Sequence, residues 1–364
     1  MNFEFSEEQQ MLRDNARRFL TETCTFEYLR AHLDRGTGID HALWKQIARL
    51  GWTGVAVPED VGGLGLGGME LCVLAEELGR VLAPVPFRAT ACVAVELLKH
   101  VDEQQALELL GGIAAGDAIV AVGGLEQSAP LPLTRFANGA VSGHIKAVPW
   151  AMEAGHMIAT TTAPEGELAI VLIDLAEMGV TRNARPGIDL LQPLGDIAFD
   201  NAPTFLLASG PSAEKLLDTV RDQAAVIAAF EQVGGADSAL ALTVGYVKER
   251  YAFGRQIGGY QAVKHKLADI AVKIELARSN AWFGAWAFVD GPSELPLAAA
   301  AARLSATQAF DLAAQECIHL HGGIGYTWEA NCHFFYTRAR YLSAVLGNSA
   351  QWGERLLHAA RISA

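Results

Sequence analysis

From Lys215 to Arg250 the chain contains no proline, and the stretch is long for a single globular helix. Two more stretches of this kind follow, Gln261 to Val289 and about Leu297 to His319. Helices of such length joined by short links bury their apolar stripes best against one another, so residues 211–364 are expected to form a helical bundle. Ala281–Val289, Leu297–Phe310 and Leu312–His319 are apolar on more than one face. A single bundle is therefore expected to leave surface for a second subunit to cover.

The chain before the bundle falls into two blocks. Residues 1–116 read as helical. Ser6 and Gln9 have capping-box spacing ahead of a charged amphipathic stretch to about Thr23. Further helices are expected near Ala42–Leu50, Met69–Arg80, Ala89–His100 and Asp102–Gly111. Val57–Gly67, with Pro58 and four glycines, predicts a shaped loop. Residues 117–210 change to short β-rich runs: Ala118–Val122, Gly139–Ser142, Met157–Thr162, Leu168–Asp174, Ile197–Asp200 and Thr204–Ala208. Their spacing and turn residues predict a small antiparallel barrel or sandwich. The fold class is thus α+β, mainly α, in three consecutive domains: 1–116 helical, 117–210 β, 211–364 helical.

Composition narrows the function. With 51% hydrophobic and 19% charged residues the chain can bury a large core. Its formal charge of −13 argues against a nucleic-acid partner, which requires a basic stripe against phosphates. No uninterrupted apolar run approaches the ~18 residues of a membrane helix. The start, Met1 to Glu8, has neither a basic nor an apolar segment, so no signal peptide and a cytoplasmic location are expected. Cys24, Cys72, Cys92, Cys317 and Cys332 form no C-x-x-C pair and read as free, buried small hydrophobes.

Two segments carry chemistry. In Lys248–Gln261 a long helix ends near Arg250, a glycine-containing link follows, and a new helix starts near Gln261. Arg250 and Arg255 beside free helix N–H groups suit a pyrophosphate, with Phe253 and Tyr260 offering flat faces. The same residues also suit an ordinary inter-helix loop with solvated arginines. His319–Glu329 ends a helix with three glycines in Gly322-Gly323-Ile324-Gly325, which serve either a close backbone approach to a ligand or a helix C-cap. His319 and His321, two residues apart, do not lie side by side on a helix, so no metal site is expected.

Taken together, these segments resemble the acyl-CoA dehydrogenase family. The likeness runs in order through Phe5-Ser6-Glu7-Glu8-Gln9, Gly51-Trp52 to Val57-Pro58-Glu59, Gly62-Gly63-Leu64-Gly65, Glu76-Glu77-Leu78-Gly79-Arg80, Arg250-x-x-Phe253-Gly254, Gln261-Ala262-Val263-Lys264-His265 and Gly322-Gly323-Ile324-Gly325. The β block matches only in character. The resemblance implies a helical domain, a β-barrel domain and a C-terminal four-helix bundle, assembled as a homo-oligomer or as a heterotetramer with a paralogue. It also implies FAD at a subunit interface and α,β-dehydrogenation of an acyl-CoA thioester, with electrons passing to an electron-transfer flavoprotein. By motif, Arg250 would contact the FAD pyrophosphate of a neighbouring subunit. Phe253 and Gln261 would hold the adenosine half, and His319, Leu320, Gly322 and Gly323 would line the adenine path. Ile257, Tyr260 and Asn348 complete the implied cofactor set.

The sequence departs from the family where the base belongs. A carboxylate normally removes the α-proton. The two positions the family uses fall at Leu346 and near Ala224, and neither accepts a proton. The family's substrate-side arginine would fall near Ala225. Its β-domain flavin motifs correspond to Gly123–Ser128 and Lys146–Ala151, either drifted or lost. Asp222, Glu231 and Glu329 are the remaining acids, and Glu231, flanked by Phe230 and Val233, is expected to be partly buried with a raised pKa. Three readings stay open. The chain is an active dehydrogenase with an unusual base, or a non-catalytic subunit lending Arg250 and Phe253 to a Glu-bearing paralogue in an α2β2 assembly, as in bacterial steroid side-chain degradation. The third reading is a flavin oxidase or monooxygenase on the same fold.

Overall fold

The computed structural model describes residues 6–362 except Thr37, Asp102 and 126–133. The first helix, α1 (Glu7–Thr23), opens on the expected reciprocal capping box of Ser6 and Gln9. It is followed by α2 (Phe26–Asp34), α3 (His41–Arg49) and α4 (Gly68–Arg80). The Val57–Gly67 loop is shaped by short 3₁₀ turns at Trp52–Gly54 and Glu59–Val61. The stretch expected as one helix over Ala89–His100 is instead a π-helical segment, Phe87–Ala94, leading into the single turn of α5 (Val95–Leu98), and α6 (Gln104–Ala114) follows. Its widened turns accompany a specific contact. Thr90 Oγ1 donates to the Val120 carbonyl at 3.0 Å and accepts from the Val120 N–H at 3.1 Å, bracing the first strand.

Eight strands then form one mixed sheet: β1 (Val120–Gly123), β2 (Thr134–Ala137), β3 (Ala140–Pro149), β4 (His156–Thr162), β5 (Leu168–Asp174), β6 (Val180–Arg185), β7 (Leu194–Pro203) and β8 (Phe205–Ser209). The order is β6-β7-β3-β2-β4-β5-β8, with β1 added parallel to β4. Antiparallel pairing dominates, as expected, but β4 pairs in parallel with both β1 and β2. β2 and β6 carry no apolar alternation that the sequence reading could detect. In β6 five of six residues are polar or charged or small, and four are exposed.

The remaining chain is helical: α7 (Gly210–Glu249), a hairpin of β9 (Tyr251–Ala252) and β10 (Arg255–Gln256), α8 (Gln261–Val289), α9 (Leu295–His321), α10 (Cys332–Ala344) and α11 (Ser349–Ile362). α7 is long and apolar enough to cross a membrane by length and composition, yet two thirds of its most apolar window is buried within the protein. By internal contacts the chain divides into two compact units. One comprises the chain up to Arg30, Cys72–Ala83 and everything from Ala225 onward; the other comprises Ala31–Leu71 and Pro84–Ala224.

The apolar surface of α9 corrects one expectation. Ala298, Ala299, Ala300, Ala302, Ala306 and Phe310 are all fully buried within the single chain. Alanine side chains let helices approach closely, so the alanine-rich faces are consumed in intramolecular packing. Exposed large apolar residues of the helical region lie elsewhere, among them Val272, Leu276 and Val289 on α8 and Leu357 near the end of the chain.

Candidate functional site

α7 ends at Glu249, and the chain turns at once into the β9–β10 hairpin. Its two turn residues, Phe253 (φ 54°) and Gly254 (φ 84°), both have left-handed backbones, as a two-residue hairpin of this hand requires. Glycine takes that conformation freely. A phenylalanine does so at a cost, and here its ring is 96% exposed. The hairpin is closed at its base by the Ile257 N–H donating to the Arg250 carbonyl at 2.9 Å. From below, Tyr260 Oη donates toward the carbonyls of Ala252 (3.1 Å) and Phe253 (3.2 Å), and the Arg255 guanidinium stacks 4.0 Å over the Tyr260 ring. Arg250 and Gln261 are exposed, Ile257 and Tyr260 half-buried.

The second segment is held against the first by Tyr246, one turn before Arg250. Tyr246 Oη donates to the His321 carbonyl at 3.2 Å, and the two rings stack at 4.1 Å. His321 is the last residue of α9, and a 3₁₀ turn, Gly322–Tyr326, follows. Gly322 and Gly323 are exposed, and a β-carbon on either would meet open space. His319 and His321 diverge as their spacing predicts. His321 is buried, whereas His319 is exposed and faces Glu316 at 3.2 Å; Glu316 also accepts from Lys266 at 2.5 Å. Leu320 is half-buried. Arg30 fixes the following loop, donating to the carbonyls of Trp328 (2.7 Å) and Glu329 (3.0 Å) and to Asn331 Oδ1 (2.9 Å). Glu329 itself is exposed, its carboxyl held below the usual range by its own backbone N–H and the Thr327 hydroxyl.

The two positions where a base is expected are apolar and buried. Leu346 is 4% exposed and has φ 61°, followed by Gly347 at φ 95°. The surroundings hold this strained turn. The buried Arg303 guanidinium donates to the carbonyls of Leu342 and Val345, and Trp352 Nε1 donates to the Leu346 carbonyl at 2.9 Å. Asn348 is exposed and caps α11, its Oδ1 accepting from Gln351 N–H at 3.1 Å while Gln351 Oε1 accepts from Asn348 N–H at 2.7 Å. Ala224 and Asp222 are buried on α7. Glu231 is partly buried, as expected, but it is not a free acid: Arg338, 1% exposed, lies 3.3 Å from it and also donates to the Leu82 carbonyl at 3.2 Å.

The Glu76–Arg80 motif has a structural role. Arg278 donates to Glu76 and to Asp237, each at 2.5 Å, and Arg80 reaches both at 3.3 and 3.1 Å. Burial opposes the Arg278 charge, but Glu76 and Asp237 outweigh it and hold the guanidinium firmly protonated. Arg17 donates to Glu77 at 2.6 Å. In the β unit, Trp150 is 2% exposed, and the Ala147 N–H beside it donates to Asp196 Oδ1 at 2.9 Å. Of the other proposed flavin motif, Glu126, Gln127 and Ser128 lie outside the described residues. Of the two further residues the structure adds, Tyr246 has a positional signal in the sequence, one helical turn before Arg250, whereas Arg303 has none.

Comparisons with known proteins agree with this geometry. Residues 6–117 match the N-terminal domain of acyl-CoA dehydrogenases, and residues 219–360 match the C-terminal domain. The chain is 30% identical over 354 residues to acyl-CoA dehydrogenase IpdE2 of Mycobacterium tuberculosis, covering 96% of both chains. It superposes with a TM-score of 0.89 and 32% identity on a variant of the Tcur3481-Tcur3483 steroid ACAD, over 98% of each chain. At 23% identity, the ChsE4-ChsE5 complex from Mycobacterium tuberculosis shares the fold, with a TM-score of 0.89 over 98% of each chain. An exposed Arg250 hairpin, the Gly322 turn pinned to it, and two family domains covering most of the sequence lead to one conclusion: the chain belongs to the acyl-CoA dehydrogenase family.

Proposed function

We propose that this chain works in FAD-dependent α,β-dehydrogenation of an acyl-CoA thioester, as the subunit of a hetero-oligomer that lends the Arg250–Phe253 hairpin to a flavin whose catalytic carboxylate comes from a paralogous chain. One observation carries the reading: the hairpin is intact and exposed, while both base positions, Leu346 and Ala224, are buried and apolar. Two of the solved structures the chain resembles, Tcur3481-Tcur3483 and the ChsE4-ChsE5 complex, each pair two gene products, which supports a paired assembly.

The residues present fit the phosphate and adenine end of such a cofactor. Among the described residues no acid or carbonyl pairs with the Arg250 guanidinium, so its charge is available to a pyrophosphate. Phe253 projects a fully exposed ring, and the space over Gly322 and Gly323 is open. The chemistry a flavin would supply there is acceptance of the β-hydride. Arg250 would hold the pyrophosphate oxygens, Phe253 and Gln261 the adenosine half, and His319, Leu320 and the two glycines the adenine edge. Ile257 and Tyr260 keep the hairpin upright. Glu231 neutralises buried Arg338 rather than serving as base, and the buried Trp150 leaves no open face for an isoalloxazine ring. An acyl-CoA is the substrate class, and an electron-transfer flavoprotein the electron acceptor.

The test is to purify the chain alone and with a Glu-bearing paralogue, and to measure flavin absorbance and acyl-CoA-dependent reduction of an artificial acceptor. Flavin and turnover are expected only in the co-purified assembly. Arg250→Ala should weaken flavin retention there by roughly 10- to 100-fold, from the loss of a charged hydrogen bond of ~1.5–3 kcal/mol. Robust turnover by the isolated chain would overturn the partner reading. Oxygen consumption without an external acceptor would favour an oxidase or monooxygenase instead.

A further inference from the structure

Cys317, His321 and Cys332 come together behind the Gly322 turn. Cys317 and His321 are i and i+4 on α9, so both side chains face the same way, and Cys332 is the first residue of α10. All three are buried, and one ligand atom from each lies within 4.8 Å of the others. Cys317 Sγ is 3.9 Å from His321 Nδ1. Zinc–sulfur and zinc–nitrogen bonds of ~2.3 and ~2.0 Å in a tetrahedral site put neighbouring ligand atoms about 3.5–3.8 Å apart. The cluster is therefore within a small side-chain adjustment of a metal-ligating arrangement.

We infer that Cys317, His321 and Cys332 supply three of the four ligands of a tetrahedral site for one thiophilic d¹⁰ ion, zinc, with a water taking the fourth position. Two sulfurs and an imidazole select a soft or borderline cation over magnesium or calcium, which take oxygen ligands. Binding replaces both thiol protons, which leave to solvent. His321 Nδ1, which lies 2.6 Å from the Cys317 carbonyl, gives up its hydrogen bond and binds through its lone pair, with the ring proton on Nε2. Stacking on Tyr246 already restricts the imidazole. The ion would tie the end of α9 to the start of α10. It would thereby clip the loop between them, which carries the exposed Gly322, Gly323, Ile324, Tyr326 and Trp328.

The experiment uses the full chain, purified under reducing conditions with zinc in the medium. About one zinc per chain is expected after desalting. Replacing it with Co²⁺ should give a thiolate-to-cobalt charge-transfer band. Cys317→Ser and Cys332→Ser should each weaken affinity at least 10–100-fold and speed amide exchange across residues 322–331. If the serine variants do not fold, the wild-type chain still decides, because a mercurial titrating its thiols must release one zinc as the two buried cysteines react. No charge-transfer band in the wild-type chain, an equal band in the double serine variant, or a Cys317–Cys332 disulfide in the reduced preparation would each overturn the site.

Discussion

Gly234 passes so close to Glu76 that a β-carbon on the glycine would fall 1.9 Å from the Glu76 carbonyl oxygen. The contact is reciprocal, since a β-carbon on Gly79 would fall 2.1 Å from the Glu231 carbonyl oxygen. α4 and α7 thus cross with backbone against backbone, and the crossing presents Glu76 and Asp237 jointly to Arg278. Gly245, on the same helix α7, has nothing within 4 Å of its β-carbon position. Gly234→Ala should therefore cost about 1–3 kcal/mol through overpacking. Gly245→Ala should gain about 0.4–1 kcal/mol by removing backbone freedom from the unfolded chain. Urea-unfolding midpoints of the two variants should move in opposite directions, and a stabilising Gly234→Ala would contradict the crossing.

Glu231→Gln separates a structural acid from a base. Arg338 is almost fully buried, and removing the charge opposite it should destabilise the fold by up to ~3–5 kcal/mol. At a temperature where both proteins are folded, turnover per folded molecule in the co-purified assembly should be unchanged. Lost turnover with an unmoved unfolding midpoint would make Glu231 the missing base.

Much of this architecture was legible because it rests on periodicity and local punctuation. Gln261–Val289 and Leu168–Asp174 lie where the sequence places them. α2 was missed although Thr25 caps it, its Oγ1 accepting from the Tyr28 N–H at 3.2 Å; the two residues between α1 and α2 are too short a break to notice. Arg303 and the Cys317–His321–Cys332 cluster were beyond reach for another reason. Each depends on residues far apart in sequence meeting in space, and the bland reading of a buried cysteine omits its neighbours. Leu346 was recognised as the base position by motif, but its left-handed backbone is set by Arg303 and Trp352 and could not be read locally.

Stability should fall on mild acidification, in part through His32 on α2. Burial pushes its pKa below the usual value, only partly offset by Asp40 and a backbone hydrogen bond at Gly38. A histidine that resists protonation when folded contributes stability that is fully present above its unfolded pKa of ~6.5. That contribution is lost as pH falls below ~6.5 toward the lower folded value, because the unfolded chain then binds the extra proton. Unfolding midpoints at neutral pH and near pH 5.5 should therefore differ less in His32→Gln than in the wild type. An unchanged or larger difference would exclude His32 from the effect.

Phe253 combines a left-handed backbone, held by the hairpin and by Tyr260 Oη, with a 96% exposed ring that gains no packing in the isolated chain. A left-handed residue other than glycine costs roughly 1–2 kcal/mol, and asparagine pays less of it than phenylalanine. Phe253→Gly and Phe253→Asn should thus leave the isolated chain as stable or more stable, by up to ~1 kcal/mol. If the hairpin serves a cofactor's adenosine half, the same substitutions should weaken flavin retention in the co-purified assembly, where the ring regains a stacking partner. Opposite signs in thermal unfolding of the isolated chain and in flavin affinity of the assembly would identify the strain as functional. A Phe253→Gly chain that is destabilised alone, with flavin affinity unchanged in the assembly, would instead make the ring part of the hairpin's own folding.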